Sequence, residues 1–177
     1  MERDIQSVLI SEEEILAKVA EVGAQISRDF EGKNPVFVGV LKGCFIFMAD
    51  LMRNVTVNCS VDFMAVSSYS GTSSTGAVKI NKDLSENIEG RHVIIVEDIL
   101  DSGITLSYLK QYLMVRKPAS ISIVTLMDKP ARRKADVYAN YSCFEIPDAF
   151  VVGYGLDYNE YYRNLPYIGV LKPEIYS

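Results

Sequence analysis

Residues 93–105, reading Val-Ile-Ile-Val-Glu-Asp-Ile-Leu-Asp-Ser-Gly-Ile-Thr, constrain the fold more than any other stretch of the chain. Val93–Val96 is an unbroken β-branched run, the pattern of a strand buried on both faces. Three carboxylates, Glu97, Asp98 and Asp101, stand at its C-terminal end. A small polar turn comes next, Asp101-Ser102-Gly103-Ile104-Thr105. An apolar-periodic segment follows, Ile104, Leu106, Tyr108, Leu109, Tyr112 and Leu113, and reads as a helix. Strand, turn and helix in that order gather ligands at the carboxyl end of an α/β sheet. The N–H groups of such a turn, with the positive end of the helix behind them, suit a phosphate. The acids beside it suit sugar hydroxyls or a hard cation. Three carboxylates so close repel one another unless a ligand needs them. The stretch is neither a Walker loop, lacking the first glycine and the Gly-Lys pair, nor a Gly-x-Gly-x-x-Gly dinucleotide loop.

The rest of the chain alternates helical and apolar strand patterns. Ser11–Phe30 reads as a helix, with Ser11 and Glu14 as a capping box and Ile15, Val19, Val22 and Ile26 on its apolar face; Gly32 ends it. Val36–Leu41 is an apolar strand. Gly43–Arg53 is a helix expected to turn Phe45, Met48, Ala49 and Met52 inward. Further strands are predicted around Val61–Ser67, Ala77–Lys82, Ser120–Met127, Ala149–Gly153 and Ile168–Leu171. Between Ser67 and Ala77 lies a small, polar, glycine-punctuated loop. The pattern predicts an α/β fold with a mainly parallel central sheet flanked by helices. The N-terminal residues and the tail after Gly155 fit the alternation poorly and are expected to form a small hood lobe. No linker or repeat interrupts residues 1–177, so a single domain is expected.

Composition narrows the function by exclusion. The net charge of −5 argues against non-specific binding to nucleic acid or anionic membranes. An anionic substrate would therefore need local cations or a metal. Three widely spaced cysteines, Cys44, Cys59 and Cys143, read as reduced thiols. His92 is the sole histidine and precedes a buried strand, so a strand-edge role is expected and a histidine zinc site is excluded. The start, Met1-Glu2-Arg3-Asp4, is charged with no apolar run behind it, and a cytoplasmic, soluble protein is expected.

Chemistry-bearing residues recur at predicted strand ends. Leu41-Lys42-Gly43 combines a cation with a glycine at a strand-to-helix turn. Asp128-Lys129-Pro130 places a lysine after another buried strand. The run Phe150 to Arg163 offers an aromatic for stacking, glycines for close backbone approach, Asp157 and an arginine.

Two adjacent acids, two apolar residues and then Asp-Ser-Gly-x-Thr resemble the signature of enzymes that bind phosphoribosyl pyrophosphate. Together with Leu41-Lys42-Gly43, Ser68-Tyr69, Asp128-Lys129, Phe144-Glu145-Ile146-Pro147-Asp148 and Leu156-Asp157-Tyr158-Asn159-Glu160-Tyr161-Tyr162-Arg163-Asn164-Leu165, the chain resembles the 6-oxopurine, or hypoxanthine-guanine, phosphoribosyltransferases of purine salvage. The motifs keep the family's order over roughly residues 9 to 171.

The resemblance implies phosphoribosyl transfer from phosphoribosyl pyrophosphate to hypoxanthine or guanine, with Mg²⁺ as cofactor. It implies that Ser102, Gly103, Ile104 and Thr105 hold the 5′-phosphate. Glu97 and Asp98 would hold the ribose hydroxyls, directly or through Mg²⁺. Lys42, Gly43 and Arg163 would meet pyrophosphate, and Asp157 would carry a second Mg²⁺. Asp101 matches the family's general base toward purine N7, which partial desolvation would strengthen. Phe150 would stack on the base, Lys129 would donate to O6, and Val151 with Asp157 would line the base site. Ser68 and Tyr69 match the start of a lid loop. The family also places a cis peptide at Leu41-Lys42. Ile104 departs from relatives that carry lysine there. The resemblance further implies a homodimer or homotetramer, with small-molecule substrates and neither nucleic acid nor membrane as partner. The rival readings are a xanthine-preferring transferase and a metabolite-sensing regulator that keeps the phosphoribosyl pyrophosphate site.

Overall fold

In the computed structural model, residues 1–68 and 77–177 are described. Tyr69, the second residue of the expected lid motif, lies outside them, as does the loop through Gly76. The chain opens with strand β1 (Ile5–Ile10) and helix α1 (Glu12–Asp29). The capping box forms: Ser11 Oγ accepts the Glu14 N–H at 3.2 Å, and the Glu14 carboxylate accepts the Ser11 N–H at 2.8 Å. Strand β2 (Val36–Leu41), helix α2 (Phe45–Arg53), strands β3 (Ser60–Ser68) and β4 (Val78–Lys82), strand β5 (His92–Leu100) and helix α3 (Ile104–Met114) follow. Then come β6 (Ser120–Asp128), β7 (Tyr141–Glu145), β8 (Val151–Val152), β9 (Ile168–Leu171) and the short helix α4 (Pro173–Tyr176).

The central sheet has the order β4-β3-β2-β5-β6-β7. All neighbours pair in parallel except the edge strand β4. The central strands β2 and β5 are buried on both faces over residues 36–40 and 93–96, which explains their unbroken apolar runs. Phe37, Ile94 and Val96 pack toward α1 and α2, against Ile15, Ile26, Phe47 and Leu51. Val36, Val38, Val93 and Ile95 pack on the opposite face, against Leu106, Leu109 and Leu113 of α3.

Helix α2 is rotated from its expected setting. Cys44, Phe47, Met48 and Leu51 are buried, whereas Phe45 is 44% exposed and Ala49 faces solvent. Residues 44–52 carry apolar side chains on two adjacent stripes, so spacing alone did not select the one that meets the sheet.

The hood lobe forms from both ends of the chain, but it also takes in β8 (Val151–Val152), which precedes Gly155 and joins the hood rather than the central sheet. It is an antiparallel sheet in the order β1-β9-β8. Tyr162 donates its hydroxyl hydrogen to Asp4 at 2.9 Å, and the Lys172 N–H donates to the Asp4 carbonyl at 2.9 Å. His92 opens β5 with Nδ1 2.7 Å from Ser120 Oγ, at the amino end of the sheet and away from the site. Cys44 and Cys143 are buried thiols, and Cys59 is exposed.

Connections run one way from β2 to β3 and the other way from β5 to β6, so the strand order reverses between β2 and β5. Outside the carboxyl ends of those strands a parallel sheet opens a crevice. The hood lies over that end.

Candidate active site

A cavity of about 340 Å³ fills the crevice, between Lys42-Gly43 just after β2 and Glu97 and Asp98 of β5 with Asp101 just beyond it. Glycine makes this contact possible. A Cβ on Gly43 would lie 1.8 Å from Asp98 Oδ2, and one on Gly155 would lie 2.3 Å from the Gly43 carbonyl oxygen. The Leu41-Lys42 peptide is cis. Asp98 is further held by the Ile99 N–H, which donates to its Oδ1 at 2.7 Å. Burial pushes the Glu97 carboxyl well above the ordinary carboxylate range, and the neighbouring Asp98 charge adds to the rise. Burial raises Asp98 as well. Two acids kept in this setting have a high affinity for a compensating positive charge.

Beyond them the chain turns through Asp101–Gly103 into α3. Gly103 has φ +80 and supplies no side-chain cap to α3; the Ile104 N–H donates to Ser102 Oγ at 3.4 Å, and Thr105 and Leu106 of the first turn line the cavity. The turn is anchored from behind. Arg133 donates to the carbonyls of Asp101 (3.1 Å) and Val137 (2.7 Å) and pairs with the Asp128 carboxylate. The N–H groups of Lys134 and Ala135 both donate to the Ser102 carbonyl. Thr105 and Ser68 line the cavity, while the Ile104 side chain is 39% exposed and points out. Lysine is therefore not required for the turn to form.

On the opposite wall, Arg163 donates to the Gly155 carbonyl at 2.7 Å and pairs with Asp157 Oδ1 at 3.2 Å. Lys42 Nζ meets Glu160 Oε2 at 2.8 Å.

A second cleft of about 510 Å³ opens beside the first, bounded by Ile99, Asp101, Lys129, Phe150, Val151 and Tyr176. Lys129 is 7% exposed, with its ammonium donating to the Ala149 carbonyl at 2.7 Å. Phe150 shows a ring at the cleft and is stacked by Tyr176, with centroids 4.5 Å apart and planes 15° apart. Asp157 reaches both cavities, and so does Asp101.

Among the described residues, two buried side-chain polar atoms lack a hydrogen bond, Asp101 Oδ1 and Arg163 Nε. Both are in this site. Asp101 as a whole is less enclosed than expected, at 43% exposed. Its Oδ1 is nevertheless shielded, and the nearby Arg132 Nε, at 2.9 Å, is off the hydrogen-bond line. Arg163 Nε is a buried donor that a ligand would satisfy, and Asp101 Oδ1 is a shielded acceptor whose one charged neighbour is Arg132.

The structure thus brings together Lys42, Gly43, Ser68, Glu97, Asp98, Asp101, Ser102, Gly103, Thr105, Asp157 and Arg163 around one cavity, with Lys129, Phe150 and Val151 around its neighbour. Sequence reasoning missed Arg132, Arg133 and Tyr176, and quoted Glu160 within a motif without giving it a role. The basic run Arg132-Arg133-Lys134 in an acidic chain was the available signal for the first two.

A parallel sheet with a phosphate-type turn at its switch point and acids on the strand before it defines a phosphoribosyltransferase. The phosphoribosyl transferase domain family matches residues 9–159. The chain is 58% identical to the hypoxanthine-guanine phosphoribosyltransferase of Bacillus subtilis, over 100% of this chain and 99% of that protein. It is 54% identical to that of Streptococcus agalactiae, with the same coverage. A solved hypoxanthine phosphoribosyltransferase from Staphylococcus aureus superposes with a TM-score of 0.97 at 55% identity, covering 100% of this chain and 97% of that one. The chain belongs to the hypoxanthine-guanine phosphoribosyltransferase family.

Proposed function

We propose that the chain, working as one domain over residues 1–177, transfers the 5-phosphoribosyl group of phosphoribosyl pyrophosphate to N9 of hypoxanthine or guanine, giving IMP or GMP and pyrophosphate. The observation that carries the reading is the position of Asp101 between two cavities. On one side are the start of α3 and the acidic pair; on the other are a buried lysine and an exposed aromatic face.

The reaction needs pyrophosphate to leave C1′ as positive charge develops on the ribose. Holding donor and base in line supplies much of the acceleration. The N–H groups of Ser102 to Thr105 and their hydroxyls take the 5′-phosphate. Glu97 and Asp98 take the ribose hydroxyls. The Arg163 guanidinium and the Lys42-Gly43 segment take the leaving group. Asp101, whose shielded Oδ1 stands 2.9 Å from Arg132 Nε, accepts the proton of purine N7 as N9 attacks. Phe150 stacks on the base, with Val151 at its edge. Lys129 donates to O6, which favours a 6-oxopurine over the amino group of adenine. Ser68 starts the lid.

Carboxylate oxygens at Glu97, Asp98 and Asp157 suit Mg²⁺, and the raised carboxyls of the first two fit a cation. Among the described residues no three acidic, histidine or cysteine side chains converge on one point. The ion, when bound, neutralises charge on pyrophosphate. A homodimer or homotetramer in the cytoplasm completes the reading; no helix among the described residues is long and apolar enough to cross a membrane.

The test mixes the protein with phosphoribosyl pyrophosphate, Mg²⁺ and, separately, hypoxanthine, guanine, xanthine and adenine, following nucleotide by chromatography. Product from hypoxanthine or guanine but not adenine is expected. Tight donor binding with no product from any base would point instead to a metabolite-sensing regulator.

A further inference from the structure

Glu160 stands in the leaving-group region with a charge opposite to its role there. Lys42 and Arg163 are the cations assigned to pyrophosphate in the proposed function, and the role of Glu160 rests on that assignment. Glu160 bridges them. Its Oε2 lies 2.8 Å from Lys42 Nζ, and its Oε1 lies 3.3 Å from Arg163 Nη2. One carboxylate thus spans two cations as two phosphate oxygens would.

The backbone sets this arrangement. Asn159 and Glu160 have φ of 51 and 68, and the Glu160 N–H donates to Asp157 Oδ2 at 2.9 Å. Consecutive non-glycine residues hold left-handed conformations only where the surroundings over-determine them, and such places cluster at functional sites.

The bridge is also easy to open. The Lys42 and Glu160 side chains are 68% and 63% exposed, and exposed pairs are weak. Arg163 does not depend on it, being fixed to the Gly155 carbonyl and Asp157. The Arg163 Nε, buried and without a hydrogen bond, is a donor that the Glu160 bridge does not use.

We propose that Glu160 is a residue of the leaving-group subsite that competes with pyrophosphate. Its carboxylate holds Lys42 and Arg163 in the ligand-free enzyme and yields them to the incoming donor. After transfer it returns and speeds release of pyrophosphate.

The experiment titrates pyrophosphate with Mg²⁺ calorimetrically into the full chain and into Glu160→Gln and Glu160→Ala, with a thermal melt of each to verify folding. Both variants are expected to bind pyrophosphate about fivefold more tightly. In steady state they should show a lower KM for the donor, an unchanged KM for the base and stronger inhibition by pyrophosphate. A purely structural role for Glu160 would not produce that split. Unchanged or weaker binding in both variants overturns the proposal. Arg163→Gln is titrated alongside. If it leaves pyrophosphate binding intact, the assignment of the leaving-group site itself fails. If it weakens binding while both Glu160 variants match the parent, only the competition fails.

Discussion

The Asp98 carboxylate rests against the bare Cα of Gly43, so close that a methyl group there would fall 1.8 Å from Oδ2. This contact joins β2 to β5 at the point where the sheet order reverses, and it sets the floor of the site. Gly43→Ala would force Asp98 to move. A misplacement of about 1 Å in a reacting constellation costs on the order of 100-fold. The expected result is a fall of that size in kcat/KM, with an overpacking cost of about 1–3 kcal/mol in urea unfolding. Retained activity would show that the site tolerates a shifted Asp98.

Asp101→Asn keeps the shape of the residue and removes its basicity. Since Asp101 is the carboxylate that borders both cavities, turnover should fall by about 10²–10⁴-fold with little change in donor binding. Pre-steady-state turnover paired with calorimetric donor binding separates the two effects. Near-parental turnover would remove Asp101 from the proton transfer.

Lys129 is 7% exposed and aimed by the Ala149 carbonyl, so its ammonium is placed rather than free. Lys129→Met should lower kcat/KM for hypoxanthine by about 10–200-fold, the equivalent of about 1–3 kcal/mol. The same change should narrow the margin over adenine. The ratio of the two specificity constants is the measurement, and an unchanged ratio would place discrimination elsewhere.

Arg133 ties the phosphate turn to β6 through two carbonyls and the Asp128 carboxylate, all partly buried. Arg133→Ala leaves that carboxylate unpaired and should cost about 3 kcal/mol in stability. The KM for the donor should rise more than the KM for the base, because the turn that loses its anchor is the one assigned to the 5′-phosphate. Equal changes in both KM values would mean a general loss of structure.

The readable parts of this molecule were those where one physical demand dominates. Val93–Val96 and Val36–Leu41 announce strands buried on both faces, and Ser11 with Glu14 announces a helix start. Strand β1 (Ile5–Ile10) was not legible: several of its residues face solvent, and its partner β9 lies more than 150 residues along the chain. Strand β7 (Tyr141–Glu145) was recognised as part of a motif rather than as a sheet edge. The site residues followed from strand ends because a parallel sheet gathers them there. Arg133, Glu160 and Tyr176 act through long-range contacts with Asp101, Lys42 and Phe150, and local pattern carries no trace of those pairings.

The acidic pair makes a prediction about pH. Burial raises Glu97 and Asp98 above their ordinary values of 4.5 and 3.8, with the Asp98 charge adding to the rise at Glu97. A carboxyl raised on folding binds more protons in the folded state than in the unfolded one between its two pKa values. Its contribution is therefore fully present below the unfolded value and is lost as pH rises through the folded value. Asp62 and Asp83, which are lowered, act in the opposite sense, so the parent curve alone does not isolate the pair. The informative quantity is the difference between the parent and Glu97→Gln in urea unfolding from pH 4 to 8. That variant should gain on the parent as pH rises, because it carries no charge to desolvate. Saturating Mg²⁺ with phosphoribosyl pyrophosphate should shrink the gain, since a cation compensates the same charge. A difference that stays flat across the range would show that the pair is solvated well enough to ionise without cost.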